Sequence, residues 1–130
     1  MLEMVRKQKF KIKEEIKKME NKIIVNGVTY LKEKNENEMD YKIVRTYSAG
    51  VFAGYVKSRN GREIELINAR RIWYWEGAAS LSQLAQEGTK KIDKCKFAIP
   101  ANVLVLEAIE ILEVSEIAKK IIEEAPVWKI

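Results

Sequence analysis

Two arginines run directly into three aromatic residues in residues 70–75 (RRIWYW). A guanidinium is planar, permanently charged and suited to phosphate, and aromatic rings give flat faces on which a nucleobase can stack. Side chains alternate along a strand, so Arg71, Trp73 and Trp75 would share one face and Arg70 would lie on the other. The segment therefore predicts a pocket for an anionic, nucleotide-like ligand, and it points to binding rather than to bond breaking.

Further residues of these types extend the candidate pocket. Ser80 is predicted to begin a short helix whose free backbone N–H groups would lie beside the strand, and Phe97 stands near Lys94 and Lys96. The candidate ligand-binding residues are Arg70, Arg71, Trp73, Trp75, Ser80 and Phe97. Structural roles stay open, because the tryptophans could fill the core or a subunit interface and Ser80 could serve only as a helix cap.

A second group of cations surrounds the dipeptide Asn60-Gly61, which favours a two-residue hairpin turn. Lys57, Arg59 and Arg62 would converge at the tip of that hairpin. Charges at such tips are usually just solvated, but a symmetry axis nearby would gather several copies into one anion site. These three residues are therefore candidates for a second anion site.

The composition weighs against several classes of protein. The 130 residues include no histidine, so the usual acid-base residue near neutral pH and the commonest metal ligand are missing. Cys95 is the single cysteine, which excludes an intrachain disulfide and favours a cytoplasmic protein. No uncharged run approaches the roughly 20 residues of a membrane span. We expect no enzymatic activity, no metal and no cofactor.

The net charge of +5 is unevenly distributed along the chain. Residues 41–75 hold seven basic and two acidic side chains, whereas residues 103–130 hold three basic and six acidic ones. Positive charge is thus concentrated around the aromatic segment, as an anionic ligand would require.

Residues 1–40 are predicted to form an N-terminal extension of a domain at residues 41–130. Apolar residues recur at helical spacing in residues 1–24, which predicts an amphipathic helix that either packs on its own domain or forms a short coiled coil. The dipeptide Asn26-Gly27 then predicts a hairpin, and the nearly all-charged residues 32–40 predict a linker.

The main domain is predicted to have an α+β fold, with a small antiparallel β-sheet core and two short helices. We expect strands near residues 42–47, 50–57, 62–67 and 69–75, a central strand in 103–114, and helices at 81–87 and 116–124 capped by Ser80 and Ser115. The segment Val127-Trp128 is expected to fold back onto the domain.

Pairing across the predicted Asn60-Gly61 turn sets Lys57 opposite Ile64 and Tyr55 opposite Leu66. One face of the sheet then carries the core residues Val51, Ala53, Tyr55, Ile64 and Leu66. The other carries Phe52, Val56, Glu63 and Glu65. This mixture of apolar and acidic residues predicts a face that a second subunit covers in part.

Three stretches of the chain resemble a known family: residues 47–54 (YSAGVFAG), 68–85 (NARRIWYWEGAASLSQLA) and 125–128 (APVW). They are similar to a small phage and prophage family that includes the Thoeris anti-defense proteins of the first type. The resemblance covers about residues 41–130 and leaves residues 1–40 unmatched.

The resemblance implies a non-enzymatic sponge that captures the cyclic ADP-ribose isomer made by a bacterial TIR-domain defence enzyme, within the host bacterial cytoplasm. It also implies a homo-oligomer, a dimer or a hexamer, with pockets between subunits, and in some members a separate site for cyclic di- or trinucleotides. An alternative is a single-stranded nucleic-acid or host-protein binding module that uses the same cations and rings, although nucleic acid is not the partner we expect.

Overall fold

A computed structural model describes residues 22–25, 28–31 and 36–130 of the chain. The chain divides into two compact units, residues 1–35 and 36–130. In the first unit, β1 (Lys22–Val25) and β2 (Val28–Leu31) pair as an antiparallel hairpin in which Val25 lies opposite Val28. The hairpin predicted at Asn26-Gly27 is therefore confirmed, since two residues join the strands.

The predicted N-terminal helix lies outside the described residues as far as residue 21. Its predicted end at residue 24 is wrong, because residues 22–24 belong to β1 and Ile and Val favour strands. The predicted linker also extends too far, because Glu36–Glu38 form a 3-10 turn and the next strand begins at Asp40.

The second unit has an α+β fold, as predicted, with a six-stranded antiparallel sheet and two helices. Its strands are β3 (Asp40–Thr46), β4 (Val51–Asn60), β5 (Glu63–Tyr74), β6 (Lys96–Phe97), β7 (Ala101–Val105) and β8 (Ala108–Glu113). Its helices are α1 (Leu81–Glu87) and α2 (Glu116–Glu123), and Ile92–Lys94 form a further 3-10 turn. Among the described residues, no helix is long and apolar enough to cross a membrane.

The sheet is curled, because the connected strands β7 and β8 pair with different strands, β5 and β3. β4 lies between β3 and β5, β8 pairs with β3, and β7 pairs with the first half of β5. Since just Leu106 and Glu107 separate β7 from β8, these two strands link the β5 edge to the β3 edge. At that junction the backbone N–H of Ala108 donates to the carbonyl of Arg62 at 3.0 Å. The prediction of a single central strand at 103–114 is therefore wrong, because two strands, β7 and β8, with a bend between them occupy this region.

Side chains are buried on both faces of the curled sheet. An inner cluster is formed by Val44, Phe52, Ile64, Leu66, Ala69 and Val105. A helix-side cluster is formed by Tyr41, Ile43, Ala53, Tyr55, Ile72, Leu84, Ala85, Phe97, Ile122 and Ala125. The prediction that Ile64 and Leu66 share a face with Ala53 and Tyr55 is wrong. Phe52 was predicted to lie on a face that a second subunit covers, but it is buried within the domain itself.

A shifted turn and two bulges explain this exchange of faces. The two-residue turn is Gly61-Arg62, since Asn60 pairs with Glu63, and the pairing of β4 with β5 then shifts twice along the strands. Asn68, beside one shift, has a φ of 49°, a conformation that asparagine tolerates better than most residues. As a result, Tyr55 pairs with Ile67 rather than Leu66, and Ile64 pairs with Arg59 rather than Lys57. A one-residue slip is sufficient to move side chains to the opposite face.

Both predicted helix caps are confirmed. The hydroxyls of Ser80 and Ser115 each accept a hydrogen bond at 3.1 Å from the backbone N–H three residues further on. α1 ends at Gly88, whose φ is 71°. The predicted return of the C-terminal segment is also confirmed, because the backbone N–H of Trp128 donates to the carbonyl of Phe97 at 2.9 Å.

Gly54 marks the closest approach of β4 to β5. A Cβ at this position would lie 2.8 Å from the Cα of Ala69, so the two strands would have to separate. We expect Gly54→Ala to lower the free energy of unfolding by about 1–3 kcal/mol, measured by urea denaturation. Ser58→Ala, at an exposed position on the same strand, should change it by less than about 0.5 kcal/mol. Equal effects of the two substitutions would contradict the close approach.

Candidate functional site

A cleft of about 650 Å³ opens beside the C-terminal end of β5. It is lined by Arg71, Trp73 and Trp75 and by residues 48–51, which lie in the turn between β3 and β4 and at the start of β4. Among the described residues that line it, Arg71 alone carries a charge. This arginine-tryptophan cleft thus brings together the cation and the two indoles predicted to share a face of the strand.

Arg71 packs against Phe52, and its guanidinium borders the cleft. It pairs across the strands with Phe52, and its Cζ lies 4.6 Å from the centroid of the Phe52 ring, which is a cation-π contact. The side chain is exposed, and no group in the described part of the chain accepts a hydrogen bond from its guanidinium. Its N–H donors are therefore free to bind an anion in the cleft.

The two tryptophans differ in how firmly they are held. Trp75 is half-buried, and its Nε1 donates to the carbonyl of Ala78 at 3.1 Å. Trp73 is 66% exposed and stacks against Trp128, with ring centroids 6.3 Å apart and an angle of 11° between the planes. Trp73 is therefore the indole whose surface is open to a ligand.

The turn opposite these residues is fixed by its own hydrogen bonds. The Thr46 hydroxyl donates to the carbonyl of Gly50 at 2.7 Å and accepts from the N–H of Ala49 at 2.9 Å. Gly50 has a φ of 93°, which favours glycine, and a Cβ there would meet no atom within 4 Å. The Ser48 hydroxyl donates to the Glu107 carboxylate at 3.0 Å. The turn is thus a compact rim with small side chains.

Arg70 has a structural role instead of the predicted ligand contact. Its guanidinium is buried and donates to five backbone carbonyls at 2.7–3.2 Å, those of Phe97, Ala98, Ile122, Ala125 and Pro126. A guanidinium has five N–H donors, so all of them are used. Burial lowers the pKa of Arg70 from its ordinary value, although arginine stays charged in proteins. The structure therefore corrects the assignment of Arg70 to the ligand site.

Phe97 and Ser80 also lie apart from the arginine-tryptophan cleft. Phe97 is fully buried in the helix-side cluster, so neither face of its ring is open to a base. The Ser80 hydroxyl accepts the hydrogen bond that caps α1, which is the structural alternative considered for this residue. The assignment of Phe97 is therefore wrong, and Ser80 is a helix cap outside the lining of the cleft.

A second cleft of about 420 Å³ lies at the turn between β4 and β5. This hairpin-tip cleft is lined by Arg59 and Arg62 together with residues 108–111 of β8. Glu110 is among them, but its carboxylate lies 3.0 Å from the Nε of Arg45, which compensates its charge. The balance of charge around the cleft is therefore positive.

Lys57 does not line the hairpin-tip cleft. Its Nζ lies 3.6 Å from a carboxylate oxygen of Glu65 on the neighbouring strand. Arg59 and Arg62 thus line one cleft, whereas Lys57 lies beside Glu65 and outside that lining.

The single cysteine lies beside the end of β5 and not in either cleft. The backbone N–H of Glu76 donates to the Cys95 sulfur at 3.5 Å. Burial raises the pKa of the Cys95 thiol, with a smaller opposing effect of its hydrogen bond to the Glu76 backbone. A thiol that keeps its proton is a weak nucleophile.

Tyr74, at the end of β5, also has a shifted pKa. The hydrogen bond of its hydroxyl to the Glu76 carboxylate raises the pKa of Tyr74.

Residues 39–122 match a family model whose description is "Domain of unknown function (DUF6948)". The match covers more than half of the chain. The chain belongs to the DUF6948 family. No curated protein and no solved structure matches it. The DUF6948 description assigns no activity, so the function rests on the geometry of the two clefts.

The DUF6948 match includes every lining residue of both clefts, whereas Trp128 lies beyond its end. Sequence reasoning missed Trp128 and Lys96 as neighbours of the arginine-tryptophan cleft. The Nζ of Lys96 lies 5.4 Å from the Trp128 ring centroid and 5.8 Å from that of Tyr74. The sequence did predict that Val127-Trp128 folds back onto the domain. It did not indicate which residue the Trp128 indole would contact.

Proposed function

We propose that this protein binds a cyclic nucleotide immune signal and sequesters it without cleaving it, as a phage anti-defense protein in the host bacterial cytoplasm. The ligand class is a cyclic ADP-ribose isomer, which combines a purine, two riboses and a pyrophosphate. The observation that carries the proposal is the exposed Arg71 guanidinium beside the exposed Trp73 indole in one cleft. Its volume of about 650 Å³ lies within the roughly 300–1,000 Å³ of small-molecule sites.

The pyrophosphate and the purine of such a ligand match the two kinds of group in the cleft, a guanidinium and an indole. The Arg71 guanidinium binds phosphate oxygens through paired charge-assisted hydrogen bonds. The Trp73 indole stacks on the purine. The small side chains of residues 48–51 leave room for the riboses to approach the backbone of the turn.

The hairpin-tip cleft is the proposed second site, for cyclic di- or trinucleotides. Arg59 and Arg62 supply two cations, and Ile109 and Ile111 supply apolar contacts. Arg59 keeps its side chain in place through a hydrogen bond from Nε to the carbonyl of Gly61 at 2.9 Å. Two arginines facing one cleft favour a ligand with several phosphates.

We also propose that the protein assembles as a homo-oligomer. Leu104, Leu106 and Ile109 are large apolar residues exposed along β7, β8 and the bend between them. Neighbouring exposed apolar residues are a common mark of a subunit interface. This surface replaces the mixed face that the sequence predicted, since Phe52 of that face is buried.

Identification of bound material tests the proposed function. The purified protein is incubated with cyclic ADP-ribose isomers and cyclic di- and trinucleotides, freed of unbound material and denatured, and the released compounds are identified by mass spectrometry. We expect an intact cyclic ADP-ribose isomer. Recovery of a cleaved product would identify an enzyme instead, and recovery of nothing would contradict a nucleotide sponge.

A single-stranded nucleic-acid binder is the second candidate. Trp73, Tyr74 and Trp128 are all exposed, and the Lys96 ammonium lies against Tyr74 and Trp128. Exposed rings beside a cation are typical of surfaces on which successive bases stack. This function requires a labelled oligonucleotide to bind at low salt and to dissociate steeply as salt rises. The absence of any shift at low salt would eliminate it.

A further inference from the structure

Trp73 both borders the arginine-tryptophan cleft and stacks on Trp128. It contributes to the wall of the arginine-tryptophan cleft, whereas Trp128 does not line that cleft. The two indoles are nearly parallel, 11° apart, with centroids separated by 6.3 Å, as in an offset stack. Trp128 therefore packs on Trp73 without itself lining the cleft.

The segment that carries Trp128 is fastened to the strands that carry Trp73. The backbone N–H of Trp128 donates to the carbonyl of Phe97 on β6, which pairs with β5. The Arg70 guanidinium, on β5 itself, binds the carbonyls of Ala125 and Pro126 at 2.7 and 3.2 Å. The backbone that carries the Trp128 indole is thus held by hydrogen bonds as well as by the stack.

We propose that Trp128 is a positioning residue for the ligand's base. It holds the Trp73 indole as a fixed wall, so that a purine stacks on the cleft side and completes a stack of three rings. When a ligand has to order a mobile side chain, the lost conformational entropy lowers the affinity. A side chain that is already ordered in the free protein avoids this cost. This inference rests on the proposed function and names the base subsite within it.

The stack predicts a base-dependent loss of affinity in Trp128→Ala. The probes are cyclic ADP-ribose, which has a base, and inorganic pyrophosphate, which has none, both measured by titration calorimetry. We expect Trp128→Ala to weaken cyclic ADP-ribose binding roughly two- to twelvefold, from the usual strength of an aromatic pair, and to leave pyrophosphate binding unchanged. Trp128→Phe should restore most of the affinity, because the phenyl ring keeps the stack.

Circular dichroism of the free protein gives a readout without ligand. Indoles held in one orientation by tertiary packing give a near-ultraviolet circular dichroism signal, which Trp128→Ala should reduce and Trp128→Phe should retain in part. Ile117→Ala, which removes an exposed apolar side chain from α2, is the control and should change neither this signal nor the affinity.

The outcomes separate this inference from the proposed function. Wild-type binding of cyclic ADP-ribose that is unchanged in a folded Trp128→Ala variant overturns the positioning role alone. An equal loss of pyrophosphate affinity in that variant also overturns it, because the effect would then not concern the base. If wild type binds no cyclic ADP-ribose, the proposed function fails for this ligand and the inference fails with it.

Discussion

Arg70→Met is expected to lower the free energy of unfolding by about 3–5 kcal/mol, which makes Arg70 one of the most sensitive positions in the domain. Methionine keeps an unbranched apolar stem but has no donor. Five backbone carbonyls would lose the hydrogen bond from Arg70, including that of Ile122 in the last turn of α2. A cation at the C-terminal end of a helix also interacts favourably with the helix dipole, and this is lost as well.

Urea denaturation followed by circular dichroism measures the effect, and Arg45→Met is the matched control. Arg45 is about half exposed and pairs with Glu110 on the surface, so its loss should cost less than about 1 kcal/mol. Arg70→Lys should remain clearly destabilised, because one ammonium with three donors cannot replace a five-donor fork. An Arg70→Met variant within about 1 kcal/mol of wild type would refute the cross-linking role.

The sequence was most informative where structure depends on near neighbours. Ser80 and Ser115 cap their helices, and the dipeptide Asn26-Gly27 joins two strands, because capping and turn preferences act within a few residues. The same signals supported the α+β fold.

Alternation along β5 separated Arg70 from Arg71, but it did not show which of them would be buried. That choice depends on α2 and β6, which supply the carbonyls that bind Arg70. These elements follow β5 at a distance along the chain, so no local pattern contains the information. The register shift between Val56 and Ser58 had a similar effect, because it placed Ile64 and Leu66 on the face opposite to Tyr55.

The sequence predicted the residue types that line the arginine-tryptophan cleft. It did not predict that Trp128 packs against Trp73. Arg71 and Trp73 line the cleft as alternation along β5 predicts, and Trp75, just beyond the end of β5, lines it as well. The support of Trp73 by Trp128 depends on the chain returning along β6, through the bond from Trp128 to Phe97. Contacts between distant segments of this kind follow from the tertiary fold and not from spacing.

Arg71→Ala and Trp73→Ala are expected to remove most of the affinity for cyclic ADP-ribose. Loss of a charge-assisted phosphate contact should weaken binding roughly 10- to 100-fold, and loss of the stacking surface roughly 5- to 100-fold. Because the two side chains contact different parts of the ligand, the losses should nearly add in the double variant. Titration calorimetry measures the affinities, and thermal denaturation should show little change, since both side chains are exposed.

Arg62→Ala is the matched control, because it removes the same charge from the hairpin-tip cleft. It should leave cyclic ADP-ribose binding nearly unchanged if Arg71 acts through direct contact. Equal losses in Arg71→Ala and Arg62→Ala would instead indicate attraction by the overall positive charge, which would also weaken as salt is added. A folded Arg71→Ala, Trp73→Ala double variant that binds every tested cyclic nucleotide as tightly as wild type would exclude the arginine-tryptophan cleft as the binding site.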